Sequence, residues 1–379
     1  MDDRVTQKSH SFVLWFRICP VRHVLSAAGL LLIGAYFAMR GNRVLMTALS
    51  DGLVRPWQRF FRRATAAVPF SVAELLIVTG VVAALAYLIV FFAGMIRRPD
   101  RLRRLYLLFM TCLTAFSLIY GGFCILWGVY YYISDFEMQS GITARPLSTE
   151  QLETVTRWFT DRLNEYDAMI PRDDEKHFQG NLSSCFTHSP ALYEAVEQAL
   201  PCLAGDSVPA KRFFFSRCMS YVNFTGFYFP FTAEANINTD SPACLVPSTI
   251  AHELAHQRGV AEEDEANFVA VLASLTDGDP IYCYSACLLA YIHLGNALYR
   301  ADYDVWLDNY QHLGAGPKAD LEDNRSYWAQ FETPVSTVSD SVYTGFLHSY
   351  GQTLGLQTYG KCVDLLVTYY YSQAKAEIH

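Results

Sequence analysis

Hydrophobic positions divide this chain at Ile133. Before that point apolar residues come in three unbroken runs, Val24 to Met39 (16 residues), Val72 to Ile96 (25 residues, Glu74 its one charge) and Tyr106 to Ile133 (28 residues, uncharged). The last two exceed the roughly 20 residues that cross a bilayer as a helix, and the first reaches that length with its flanks, so the pattern predicts three spans. Between the first two, Gly41 to Phe70 places Leu45, Leu49, Leu53, Trp57 and Phe61 every fourth position among arginines. That spacing predicts an amphipathic helix on the membrane surface, bent at Pro56.

After Ile133 polar and apolar positions mix with the periods of a folded domain. Ser148 to Ala168 opens with a Ser148/Gln151 capping box and continues with helical spacing, whereas Asp173 to Ser189 is polar and reads as a loop. Arg212 to Ala235 is aromatic and β-prone, broken at Asn223 and Gly226, and reads as two strands. From Pro247 onward helices dominate: Ser248 to Arg258, Glu263 to Leu275, Ile281 to Tyr303, Val335 to Leu354 and Gly360 to Ser372. The expected class is α+β, with residues 1–133 a membrane region and residues 134–379 one large domain holding a small sheet.

Charge follows the same division. Up to Ile133 there are 15 Lys and Arg against 5 Asp and Glu, and beyond it 14 against 32, giving net +10 and −18 within the overall −8. The link Arg97 to Arg104 (RRPDRLRR) carries five arginines between two spans, and short basic loops stay in the cytoplasm. Three spans then put the amino terminus inside and the domain outside, although Arg43, Arg55, Arg59, Arg62 and Arg63 of the amphipathic segment also fall outside. A domain at −18 without a phosphate-cradling loop argues against nucleic-acid binding. Cys185, Cys202, Cys218 and Cys244 lie in loop-like or strand-like sequence and could form disulfides on an oxidising face; Cys283 and Cys287, one helical turn apart, read as buried thiols.

The chemistry concentrates in TIAHELAHQRGVAEEDEANF, Thr249 to Phe268. Four-residue spacing puts His252 and His256 on one face of a helix, where two imidazoles can bind a single ion. Glu253 lies beside that face and can reach a water on the ion without being a ligand. Imidazole and carboxylate suit Zn2+, and three protein ligands leave a fourth position for water, whose pKa zinc lowers to roughly 7. Glu253 would accept its proton and pass it to a leaving amine. Gly259 offers the turn into a second helix, on which Glu263, Asn267, Ala270 and Ser274 form a narrow face of small or polar residues. Glu263 is the expected third ligand, with Glu265, which shares its face with Val269 and Leu272, as second choice and Glu262 at the turn as a further alternative.

These residues resemble the gluzincin branch of zinc metallopeptidases. More closely, the run from FYFPFTAEANIN through HELAHQRGVAEEDEANFVAVLA, with the later SYGQTLGLQTYGKCVDLL, resembles an uncharacterised family of membrane-anchored bacterial zincin-like proteins. The resemblance implies a zincin-like domain outside the bacterial cytoplasmic membrane, peptide-bond hydrolysis of a peptide or protein substrate, and contact with membrane lipid. In the gluzincin pattern the ligand Glu is followed four residues later by Asp or Asn, here Glu263 and Asn267, and Asn267 would steady a ligand histidine. Two departures are the polar Gln257 and Arg258 and a short gap between His256 and Glu263. Tyr343, His348 and Tyr359 are candidate oxyanion donors by the same resemblance. Phe227 to Asn238 could be an edge strand on which substrate backbone pairs. The alternative is a zinc-binding membrane sensor without turnover.

Overall fold

A computed structural model describes residues 16–97, 99–206, 208–350 and 360–378 of the chain. It divides into two compact units, one made of residues 1–56 and 74–133, the other of residues 57–73 and 134–379.

The first unit is helical. Its elements are α1 (Pro20–Met39), α2 (Arg43–Leu49), a π-helical turn (Ser50–Val54) leading into α3 (Arg55–Ala66), which from Trp57 onward belongs to the second unit, α4 (Val72–Arg97) from Glu74 onward, and α5 (Arg101–Leu126). Helices α1, α4 and α5 are long and apolar enough to cross a membrane. Helices α1 and α5 meet through small residues: a Cβ on Gly29 would fall 2.8 Å from the backbone of Ser117, and Ser26 Oγ lies 2.8 Å from Thr114 Oγ1. The third apolar run is not one helix to Ile133. Helix α5 starts among the arginines and ends at Leu126, where Trp127 leaves helical geometry and a 3₁₀ turn, Gly128–Tyr132, follows. Apolar composition sets where a helix can sit in lipid, but a backbone cap sets where it stops. The π-turn has Arg55 N–H bonded to Ser50 O, immediately before Pro56. Proline lacks an N–H and its ring crowds the carbonyl four residues back, and the wider turn accommodates both.

The second unit is built from α6 (Phe136–Ser140), α7 (Thr149–Asp167), α8 (Leu182–His188), α9 (Glu194–Ala199), β1 (Lys211–Phe213), α10 (Ser216–Ser220), β2 (Gly226–Phe229), β3 (Glu234–Asn238), α11 (Val246–Gln257), α12 (Glu263–Asp277), α13 (Pro280–Ala301), α14 (Tyr303–His312), α15 (Ala315–Ala329), α16 (Pro334–Ser349) and α17 (Gly360–Ile378). The expected capping box of α7 is present in both directions. Helix α13 is also long and apolar enough to cross a membrane, yet 72% of its apolar stretch is buried inside the protein, in the core with α7, α11, α12 and α17. It is therefore a core helix by packing.

Four further expectations change. Residues 182–188, read as loop, form α8, because Asn181 caps the first turn by accepting from Ser183 and Ser184 N–H. Aromatic density in Arg212 to Ala235 does not make two strands: Phe214 and Phe215 are exposed and lead into α10, and the sheet has three strands in the order β1-β3-β2. Phe227 to Asn238 is thus not one edge strand. It contains edge strand β2 and central strand β3, antiparallel in the register Phe227↔Asn236, with β1 parallel on the other side of β3. Among the described residues Cys185, Cys202, Cys218 and Cys244 form no disulfide; Cys283 and Cys287 are fully buried thiols.

The segment Trp57 to Ala73 is tied into the second unit by polar contacts. Arg63 pairs with Asp206 at 2.7 Å, Lys211 Nζ donates to Val68 O, and Ser71 Oγ bonds Asn236 Oδ1 at 2.6 Å. Glu234 of β3 accepts from the N–H groups of Val72 and Ala73 at 3.0 and 2.7 Å. Those are the first two residues of α4, whose opening N–H groups have no partner within the helix.

Candidate metal centre

Helix α11 is almost wholly buried, including its polar end. Gln257 Nε2 donates to Ala233 O at 3.0 Å, and Arg258 forks onto Glu197 at 2.9 Å while its guanidinium lies over the Tyr193 ring. These two polar residues therefore anchor the helix within the core. After Arg258 the chain reverses at Gly259, whose φ of +92° suits a residue without Cβ, and Val260 N–H returns to Ala255 O. Glu262 is the last extended residue, and Glu263 begins α12.

This short reversal brings the sequence-predicted ligands together. The His252 and His256 rings sit 4.6 Å apart and nearly perpendicular, and Glu263 Oε2 lies 3.1 Å from His252 Nε2 and 3.6 Å from His256 Nε2. The other nitrogen of each histidine is held from behind. His252 Nδ1 lies 2.9 Å from Asn267 Oδ1, one turn along α12, and His256 Nδ1 lies 2.7 Å from Val260 O. With both Nδ1 atoms donating, both Nε2 lone pairs face the carboxylate of Glu263. Lone pairs converging in this way are stable only with a proton or a cation between them. Accordingly, burial pulls the His256 pKa down but the Glu263 carboxylate outweighs it and raises it to about 9, while burial raises Glu263 but His256 and His252 hold it well below the usual range. Two imidazoles and one carboxylate, each fixed by an outer partner, form a donor set that fits zinc.

Glu253 is 3% exposed and lies against β2: a Cβ on Gly226 would fall 2.7 Å from Glu253 Oε1. Its Oε2 has no hydrogen-bond partner among the described residues. Burial pushes its pKa up to about 7, with His252 and His256 pulling the other way. A carboxylate poised there can both take and return a proton near neutrality.

The alternatives for the third ligand go elsewhere. Glu265 accepts from Phe136 and Glu137 N–H and from Lys361 Nζ, and Glu262 also binds Lys361 at 2.7 Å. Asp135, Glu137 and Glu265 form a second acidic group, but Lys361 supplies its positive charge. Tyr343, one of the three candidate oxyanion donors, donates to Glu263 Oε1 at 2.6 Å, leaving Oε2 for the histidines. His348 is exposed on the last turn of α16, and Tyr359 lies outside the described residues. Two features were missed from sequence. One is Gly226, whose signal was a glycine at the start of an aromatic strand. The other is His293 of α13, buried near His252, its pKa pulled down to about 4 by burial and by that neighbour.

The titrations give a pH expectation for the metal-free chain. Burial raises Asp264 and Glu265 as well as Glu253 to about 7, so from about pH 4.5 to 7 the folded chain holds protons that the unfolded chain has released; His256 does the same from about 6.5 to 9. Stability from these groups is therefore lost as pH rises, whereas that from Glu263 is lost only on acidification below its ordinary range. Melting temperature of the chelator-treated chain should fall from about pH 5.5 to about pH 8.5. A rise across that range would contradict the buried-acid assignments.

No curated protein and no solved structure matches this chain. A match does extend over residues 49–367, from the π-turn through the two site helices into α17, and it places the chain in the family described as "Protein of unknown function (DUF3810)".

Proposed function

We propose that this chain is a membrane-anchored zinc metallopeptidase of gluzincin type. The observation that carries the reading is the convergence of His252, His256 and Glu263 next to a buried Glu253 carboxylate oxygen that lacks a partner. His252 and His256, through Nε2, and Glu263, through Oε2, would hold the ion. Zinc in such a site supplies Lewis acidity and a water that is nucleophilic at neutral pH. Glu253, a buried carboxyl beside these ligands whose pKa burial raises to about 7, would serve there as proton acceptor and donor. Asn267 and the Val260 carbonyl keep the histidines oriented, and Tyr343 keeps Glu263 oriented.

Strand β2 supports a peptide substrate. Asn238 N–H bonds Thr225 O, and the antiparallel alternation then turns the backbone groups of Thr225, Phe227 and Phe229 toward β3 and those of Gly226 and Tyr228 away from it. An extended backbone pairing at Gly226 and Tyr228 would run directly beside Glu253. Three apolar helices long enough to cross a membrane support a multi-pass protein, the family resemblance would make that membrane the bacterial cytoplasmic one, and loop charge supports this domain on the outer side, because the arginines of Arg97 to Arg104 favour the cytoplasm.

The test is hydrolysis of an unfolded polypeptide by the purified full chain in detergent. Cleavage should stop on chelation and return with zinc. Bound zinc without cleavage of any peptide would replace this reading with that of a zinc-binding sensor.

A further inference from the structure

Helix α3 is built inside out. The positions it turns into the second unit, Gln58, Arg62 and Thr65, are polar and buried at helical spacing. The opposite face carries Trp57 and Phe60, 38% and 67% exposed, with Phe61 half-buried against both rings at 4.5 and 5.2 Å and exposed Ala64 one turn on. Exposed Arg59 and Arg63 border this stripe. An apolar face left outside while polar residues are buried calls for a medium that favours aromatic side chains.

We infer that the Trp57, Phe60 and Ala64 face of α3 lies in the interface of a lipid bilayer, at the level between headgroups and acyl chains. Three observations select lipid. Tryptophan and phenylalanine on one side with a bordering arginine is the composition of helices that lie in that plane, where the exposed guanidinium of Arg59 can meet lipid phosphates, Arg63 being paired with Asp206. Exposed Phe70 follows, and at Val72 the chain begins α4, 26 residues long and apolar enough to cross the membrane, so the apolar medium starts within a few residues of α3. Size argues against a protein partner. A twelve-residue helix is about 18 Å long and offers one face of about 200 Å², far below the roughly 800 Å² per partner of a stable interface.

The same helix grips the catalytic unit. Trp57 Nε1 donates to Phe231 O in the turn between β2 and β3, and Arg63 holds Asp206. Seating α3 in the interface therefore holds strand β2, and Glu253 beside it, close to the bilayer surface. On the peptidase reading, which this consequence alone rests on, the preferred substrates are polypeptide segments that emerge from or lie on the membrane.

The test uses the full chain reconstituted in vesicles of phosphatidylcholine and phosphatidylglycerol, with a photoreactive benzoylphenylalanine introduced as Phe60→benzoylphenylalanine and, as control, Met169→benzoylphenylalanine at an exposed site on the loop after α7. Phe60 should give a lipid adduct several-fold more often than Met169, and more often as the phosphatidylglycerol fraction rises. An adduct to a second copy of the chain, or no lipid adduct above the Met169 level, overturns the inference. Since the readout is an adduct and not cleavage, its failure leaves the assignment of Glu253 untouched, and loss of peptidase activity leaves the lipid contact untouched.

Discussion

Glu253→Gln is expected to lower peptide hydrolysis about 10²–10⁴-fold, the range that a positioned general base contributes, while zinc content stays that of the parent. The separation of the two readouts follows from position. Glu253 is outside the convergence of His252, His256 and Glu263, so its loss removes no ligand. Glutamine has the same shape, which matters in a slot where Gly226 backbone leaves no room for a larger group. The variant should fold at least as well as the parent, because it replaces a buried carboxyl whose ionisation burial opposes. Unchanged turnover would remove Glu253 from the mechanism, and turnover lost together with zinc would make it structural.

His256→Ala should take bound zinc from the one per chain expected of the parent to none, and the rise in melting temperature expected of the parent with zinc should disappear. His256 is buried and supplies Nε2 to the group; its removal leaves two ligands, too few for a closed donor set. It also strands the Val260 carbonyl, which accepts from His256 Nδ1, at a cost of about 1–3 kcal/mol. His312→Ala provides the comparison, since His312 is exposed and bound to Asp161, and it should keep the parent's zinc. A His256→Ala chain with stoichiometric zinc would place the metal elsewhere.

Local pattern carried much of this site. The HExxH spacing needs only the helical repeat to put His252 and His256 together, and the Ser148/Gln151 cap formed as the rules for helix starts require. What pattern could not decide was the destination of each acid. Glu262, Glu263 and Glu265 lie within four positions, and all three suit the start of a helix. Their separation depends on Lys361, almost a hundred residues later, which draws Glu262 and Glu265 to one side while Glu263 turns to the histidines. Tyr343 is similar: the family resemblance made it a candidate oxyanion donor, and only the approach of α16 makes it a donor to Glu263.

Elements with local causes could be read along the chain: the apolar helices long enough for a membrane, the Ser148/Gln151 cap, the glycine turn at Gly259, and two imidazoles on one face of α11. Tertiary structure decided which strand is the edge, that α13 is core although its composition would suit a membrane, that Gln58, Arg62 and Thr65 rather than the aromatic residues of α3 are buried, and which glutamate meets the histidines. These outcomes depend on contacts between residues distant in the chain. A periodic pattern records which face of an element is apolar, but the partner that covers the face, or the medium it meets, is settled when the elements pack.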